Sequence, residues 1–271
     1  MKRFLLTLAC LVPLMGALAQ DAPDGYRAPV IVELFTSEGC SSCPPADEVL
    51  AHLSDLGFSD EQVIPLSYHV DYWNDIGWTD PFSHKYCTQR QWNYARLYRA
   101  SQVYTPQMIV NGTKQFLGSN QTLAKQTIQD AWQKTDAAKI QFSNISNEIH
   151  SPTLTLKITY TLHEAFGPGE LALFVAATED KLASDVTRGE NQGRVLKHHA
   201  VVRTIKRINQ ISTKQNAPVA KQVSLSIKPG WQRNNLRAVV FIQNLTNGAI
   251  IGAASKRLAG DTTAASNPLY E

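Results

Sequence analysis

From Val30 to Phe35 the chain is apolar at every position but Glu33, and the turn-like Thr36-Ser37-Glu38-Gly39 then leads into Cys40-Ser41-Ser42-Cys43-Pro44-Pro45. A nearly continuous apolar run of this length reads as a strand buried on both faces. Proline is tolerated in the first turn of a helix, where backbone N–H groups have no intrahelical partner. Ala46, Val49, Leu50 and Leu53 then continue at helical spacing. The segment therefore demands a buried strand that ends, through a short turn, on a cysteine pair at a helix start.

The alternation of strand and helix continues. Val63, Ile64, Leu66 and Tyr68 mark a second strand within 62–70, followed by a polar and aromatic loop, 71–80, and a helix within 82–100. Gln107-Met108-Ile109-Val110 and the run from Thr113 to Leu117 flank Asn111-Gly112, a strong two-residue hairpin signal. Ser119 or Asn120 caps a third helix carrying Leu123, Ile128, Ala131 and Trp132. The expected order is β-α-β-α-β-β-α.

After Lys139 the helical periodicity fades. Strand-like runs recur at 139–145, 153–162, 171–177, 195–205, 222–227, 236–243 and 250–254, and Leu154, Leu156, Ile158, Tyr160 and Leu162 alternate without a break. Seven short strands between Gly, Pro, Asn and Ser stretches predict a β-sandwich of immunoglobulin-like or fibronectin-like character.

The first half, with its Cys-x-x-Cys at the end of the first strand, resembles the minimal thioredoxin fold. In that fold a cis-proline before the third strand faces the cysteine pair, and the resemblance assigns this place to Thr105-Pro106. Glu33 through Pro45, together with Tyr72-Trp73-Asn74 and Gly77-Trp78, resemble more closely a secreted thioredoxin-like family designated domain of unknown function 1223. That family has no assigned reaction, so the resemblance implies a fold and a site without a substrate. The expected fold class is an α/β thioredoxin-like domain, residues 29–138, followed by a β-sandwich domain, residues 139–258.

The chemistry rests on the pair. A thiolate, not a thiol, attacks a disulfide, and a cysteine at a helix N-terminus is stabilised as its anion by unpaired N–H groups and the helix dipole. Cys40 is therefore the candidate nucleophile and the more exposed sulfur, while Cys43, one helical turn on, is the candidate resolving thiol. By resemblance Glu33 takes the proton from Cys43, and Pro106 with Thr105 shapes the face that receives an extended partner. A carboxylate in a salt bridge or at a wet strand edge is the competing reading of Glu33. Tyr72, Trp73 and Trp78 supply either a binding surface or core packing under a loop. Two further readings of the pair stay open: a fixed structural disulfide, and a copper-type site with His69. A structural zinc site lacks ligands, and no metal or organic cofactor is expected beyond the redox-active disulfide itself. Cys87 reads as a buried inert thiol, and His198-His199, on opposite faces of a strand, as structural.

Lys2 and Arg3 precede an apolar run from Phe4 to Leu18 that closes on Ala17-Leu18-Ala19, the pattern of a secretory signal peptide over residues 1–19. Residues 20–28 read as a flexible lead-in and 259–271 as a polar tail. Setting aside Lys2 and Arg3 leaves 24 basic and 23 acidic groups, a balance that gives no electrostatic reason to expect nucleic acid as a partner. The function expected is a periplasmic or secreted thiol-disulfide oxidoreductase acting on a protein or small thiol/disulfide, with no stable membrane insertion after signal cleavage. The alternative is a non-catalytic thioredoxin-like binding module with a structural Cys40–Cys43 disulfide.

Overall fold

The computed structural model describes residues 27–134, 137–146, 151–167, 169–209 and 211–258. The expected signal peptide, all but the end of the lead-in, and the polar tail lie outside the described residues.

Strand β1 (Val30–Thr36) is buried at all seven positions, as its unbroken apolar run requires. Helix α1 (Pro44–Ala51) opens with both prolines in its first turn. Strand β2 (Val63–His69) runs parallel to β1, pairing Val30 with Val63 through Thr36 with His69. Helix α2 (Lys85–Tyr98) is capped by His84, whose side chain accepts from the Tyr86 amide, and ends on Arg99 in the left-handed region at φ 55°. Strands β3 (Gln107–Val110) and β4 (Lys114–Leu117) form the hairpin expected around Asn111-Gly112. Helix α3 (Gln121–Trp132) follows, with Asn120 Oδ1 accepting from Leu123 N at 3.0 Å.

Nine strands then complete the fold: β5 (Ala138–Ser146), β6 (Thr153–Leu162), β7 (Leu171–Glu179), β8 (Leu182–Asp185), β9 (Val195–His198), β10 (Val201–Ile208), β11 (Val219–Ser226), β12 (Leu236–Asn244) and β13 (Ile250–Arg257). The single run expected at 195–205 is two strands, because Ala200 turns the backbone at φ 51°.

The pairing of these strands overturns the expected fold class. In place of a thioredoxin-like domain followed by a sandwich closed on itself, there is one mixed eight-stranded sheet in the order β13-β12-β7-β10-β2-β1-β3-β4. Only β11-β6-β5 stand apart as a second, three-stranded sheet, and β8-β9 as a ribbon. The physical reason lies in β7 and β12, which are buried at every position; a strand of a two-sheet sandwich has one wet face, whereas these are covered on both.

One face of the large sheet carries two cores. Val30, Val32 and Leu34 pack against Ala46 and Leu50 of α1 and Ala124 and Ile128 of α3. Leu171, Leu173 and Val175 pack against Leu154, Leu156 and Ile158 of the three-stranded sheet. On the opposite face α2 spans the junction, so that Ile31 and Phe35 share a core with Tyr94, Phe174 and Phe241. The Phe174 and Phe241 rings stack there at 5.0 Å, worth about 0.5–1.5 kcal/mol beyond the area they bury.

The seam between the halves is narrow. β10 meets β2 in parallel at Val201 and Ser67, Ser67 N donates to Ala200 O at 2.8 Å, and Ile250 N donates to Asn111 O at 3.1 Å. Beside that second contact, a Cβ on Gly112 would stand 2.0 Å from Gly248 O, and Gly112 has φ +67°. Gly112→Ala is therefore expected to lower stability by about 2–3 kcal/mol, read as a shift in the denaturant midpoint at unchanged slope. An unchanged midpoint would mean the two turns do not touch in solution.

Candidate functional site

The turn after β1 places the two cysteines at the start of α1, where they are joined by a disulfide with Cα atoms 5.4 Å apart. Cys43 is the N-cap residue, its side chain making no capping bond, and its carbonyl accepts from Ala46 N at 2.8 Å and Asp47 N at 3.1 Å. Cys40 and Cys43 are 1% and 0% exposed, so the cysteine expected to be the more exposed of the pair is as buried as the other. The cover comes from a turn some 150 positions away. Ser41 N donates to Glu190 Oε2 at 2.9 Å, and Asn191 Nδ2 donates to Glu38 O at 2.8 Å and Cys40 O at 3.0 Å. The hydrogen bonds from Ser41 hold the Glu190 carboxyl below its usual range. Trp78 supports this turn from behind, since a Cβ on Gly189 would stand 3.2 Å from Trp78 Cβ.

Near the pair lies a cluster of carboxylates and imidazoles from five segments of the chain. His69, at the end of β2, places Nδ1 2.7 Å from Asp80 Oδ2, and Asp80 also accepts from Glu38 N at 2.9 Å and Phe82 N at 2.8 Å. Burial alone would raise the Asp80 carboxyl, but attraction and hydrogen bonding to His69, with the two amides, hold it below its ordinary value. Glu38 receives Trp78 Nε1 at 2.7 Å and faces His198 Nε2 at 2.9 Å. The two imidazoles meet edge to face at 4.7 Å. His69 Nε2 and His198 Nδ1 are buried without a hydrogen-bond partner among the described residues. Asp47, one helical turn after Cys43, accepts from Thr36 Oγ1 at 3.2 Å. Desolvation pushes its carboxyl up to about 7, against the opposing pull of His198 and the Thr36 hydroxyl, with Asp80 and Glu38 adding to the rise. Among the described residues no group of three or more His, Cys, Asp or Glu side chains is arranged to hold a metal ion.

The structure separates Glu33 from the cysteines. Side chains alternate along a strand: Leu34 faces α1 and Thr36 reaches Asp47, so Glu33 lies on the far face. There it is wholly buried, accepts from Arg90 Nε and Tyr94 Oη, and receives Arg90 Nη2 at 3.0 Å. The proton-acceptor role expected by resemblance is corrected on this ground, and the salt bridge is the reading that geometry supports.

Thr105 and Pro106 are joined by a cis peptide bond. Pro106 is buried beside α1: a Cβ on Gly118 would stand 3.0 Å from Ala46 Cβ and 3.5 Å from Pro106 Cβ. Trp73 ties this segment to the cysteine turn, because its Nε1 donates to Thr105 Oγ1 at 2.8 Å and a Cβ on Gly39 would lie 3.1 Å from Trp73 Cβ. Tyr72 turns away, donating to Gln91 Oε1 at 3.2 Å, and burial pushes its hydroxyl up to about 12. Cys87 is a buried free cysteine whose thiol burial drives well above its ordinary value.

Asp47, Glu38, Asp80, Glu190 and Asn191 escaped the sequence reading, and His198 was read as structural. The four-residue step from Cys43 to Asp47 was a usable signal, since residues i and i+4 share a helix face. Nothing local pointed to Glu190 or Asn191.

A family model described as "Protein of unknown function (DUF1223)" matches residues 31–243. Among solved structures, a structural-genomics crystal structure of an Agrobacterium tumefaciens protein is 27% identical at a TM-score of 0.60, over 91% of this chain and 99% of that one. HBP35 of Porphyromonas gingivalis matches at a TM-score of 0.66 and 17% identity, over 91% of this chain and 80% of that one, a likeness of fold alone. No curated protein matches the chain.

Proposed function

The chain belongs to the DUF1223 family, whose description names no reaction, and we propose from the site itself that the protein is a thiol-disulfide oxidoreductase acting outside the cytoplasm. The observation that carries this reading is the placement of the Cys40–Cys43 disulfide at the N-terminus of α1, with the Asp47 carboxyl, raised to about 7, one turn further on. A carboxyl raised toward neutrality on the helix face it shares with Cys43 suits it to exchange a proton with that cysteine.

The step balances without a further cofactor. A thiolate of a dithiol partner attacks Cys40 Sγ, a mixed disulfide forms, and the Cys40–Cys43 bond breaks with its electron pair on Cys43. Asp47 supplies the proton that Cys43 takes up. The partner's second thiolate then attacks its own sulfur of the mixed disulfide, leaving the partner oxidised and Cys40 a thiolate stabilised by the helix terminus. Run backwards, the same steps reduce a partner disulfide, with Asp47 receiving the Cys43 proton. Trp73, Thr105 and Pro106 border the pair where a partner chain would lie. The Lys2-Arg3 and Phe4–Leu18 pattern supports export, and an oxidising compartment suits the disulfide.

A fixed structural disulfide is the second reading, favoured by the burial of both cysteines under Glu190 and Asn191. Equilibration with graded dithiol buffers separates the two. A redox pair is expected to lie above about −300 mV. It is also expected to oxidise a reduced dithiol peptide in a manner lost in Cys40→Ser and arrested as a mixed disulfide in Cys43→Ser. A potential well below that figure, with no trapped adduct, would establish the structural reading instead.

A further inference from the structure

On the face of the large sheet opposite the cysteines, α2 and the ends of β7, β10 and β12 leave a cavity of about 270 Å³. Its lining includes three arginines, Arg90, Arg96 and Arg207, and no acidic residue. Arg90 is the buried partner of Glu33, so its charge is spent. Arg96 and Arg207 are exposed and have no ion-pair partner among the described residues; Arg96 hydrogen-bonds only the Asn93 side chain. A third donor stands beside them: Asn244 uses Oδ1 to accept from Thr246 N at 2.9 Å and Asn247 N at 3.3 Å, and its Nδ2 has no partner among the described residues. Asn93, Tyr94 and Gln243 add polar atoms to the wall, and Leu97, Phe174 and Leu245 supply its apolar part. Phe174 lies 4.9 Å from the Arg90 guanidinium and 6.0 Å from that of Arg207.

We infer that this cavity binds a small organic monocarboxylate with a compact apolar body. Two unpaired guanidiniums at the rim match a carboxylate in charge and in donor geometry, with Asn244 Nδ2 as a further donor. An aromatic ring or short branched chain then lies over Phe174 between Leu97 and Leu245. The volume falls just under the roughly 300–1,000 Å³ of sites for drug-sized ligands, which limits the body to about one ring. Phosphate or sulfate alone leaves Phe174, Leu97 and Leu245 uncovered, and a neutral ring leaves the two guanidiniums without a countercharge. The inference is independent of the redox proposal, since Leu34 and Thr36 on one face and Glu33 on the other divide the two sites.

4-Fluorophenylacetate, followed by ¹⁹F NMR against the full chain, is the probe. A saturable shift is expected, and the amide 4-fluorophenylacetamide, of the same shape without the charge, is expected to bind at least tenfold more weakly. Arg96→Gln and Arg207→Gln should each weaken the carboxylate about tenfold while leaving the amide unchanged. Both arginines are exposed, so the variants should melt as the parent does, and a Cys40→Ser chain should bind the probe equally well. No saturation, equal binding of acid and amide, or full affinity in both arginine variants would each overturn the inference.

Discussion

Replacing Arg90 by methionine is expected to destabilise the fold by about 3–5 kcal/mol, because the change strands a buried carboxylate without its countercharge. Glu33 is 0% exposed, and beside Arg90 its side chain accepts from the Tyr94 hydroxyl. The guanidinium sits among four rings, those of Tyr68 at 5.6 Å, Tyr94 at 5.1 Å, Phe174 at 4.9 Å and Phe241 at 5.1 Å. Burial among them works against the Arg90 charge, and the Glu33 carboxylate more than restores it, leaving the group held well above its ordinary value. Denaturant unfolding at neutral pH measures the loss. The double variant Glu33→Leu/Arg90→Met should recover most of it, since a buried ion pair and a well-packed apolar pair are often close in free energy. A single variant that loses less than about 1 kcal/mol would show that water reaches Glu33.

The Asp47 carboxyl should make stability fall as pH rises between about 4 and 7. Its folded-state value is raised from 3.8 to about 7, so across that window the folded chain holds a proton that the unfolded chain has released. Protonated Asp47 fits its site below the unfolded value, and the cost of ionising it grows until pH passes the folded value. A rise of about three units sets an upper bound of about 4 kcal/mol on this loss. Asp80 acts with the opposite sign: its lowered value contributes stability above the unfolded value that is lost as pH falls. Comparing Asp47→Asn with the parent isolates the first effect. The variant should be the more stable protein at pH 8 and gain nothing at pH 4, as read from urea midpoints at four or five pH values. A difference independent of pH would place Asp47 in contact with bulk water.

The strands and helices were legible because each is a local pattern: the unbroken run of β1, the alternation of β6, the prolines opening α1, the Asn-Gly hairpin. Their partners were not. The run from Leu171 onward announces a strand with both faces covered, yet nothing in it says that β12 lies on one side and β10 on the other. The same division holds at the site. Cys40 and Cys43 carry their chemistry in their spacing and were found. At Glu33 the salt-bridge reading holds and the proton-acceptor role does not, because strand parity puts the side chain on the face opposite α1. Glu190, Asn191 and His198 reach the cysteine turn through the β8-β9 ribbon and its loop, so only the folded chain brings them there.

The junction of β10 with β2 also sets the order in which the molecule can be assembled. β2 is an interior strand of the finished sheet, and one of its edges is met, at Ser67, by a strand that begins at Val201. At the usual pace of roughly 5–20 residues per second, a ribosome takes about 7–27 s to travel from Ser67 to Val201. Until then the β2 edge at Ser67 has no strand beside it, and an unpaired strand edge is a template on which an extended chain can pair. A chain cut short of Val201 is therefore expected to associate more readily than the whole protein, because its β2 edge lacks the strand that meets it.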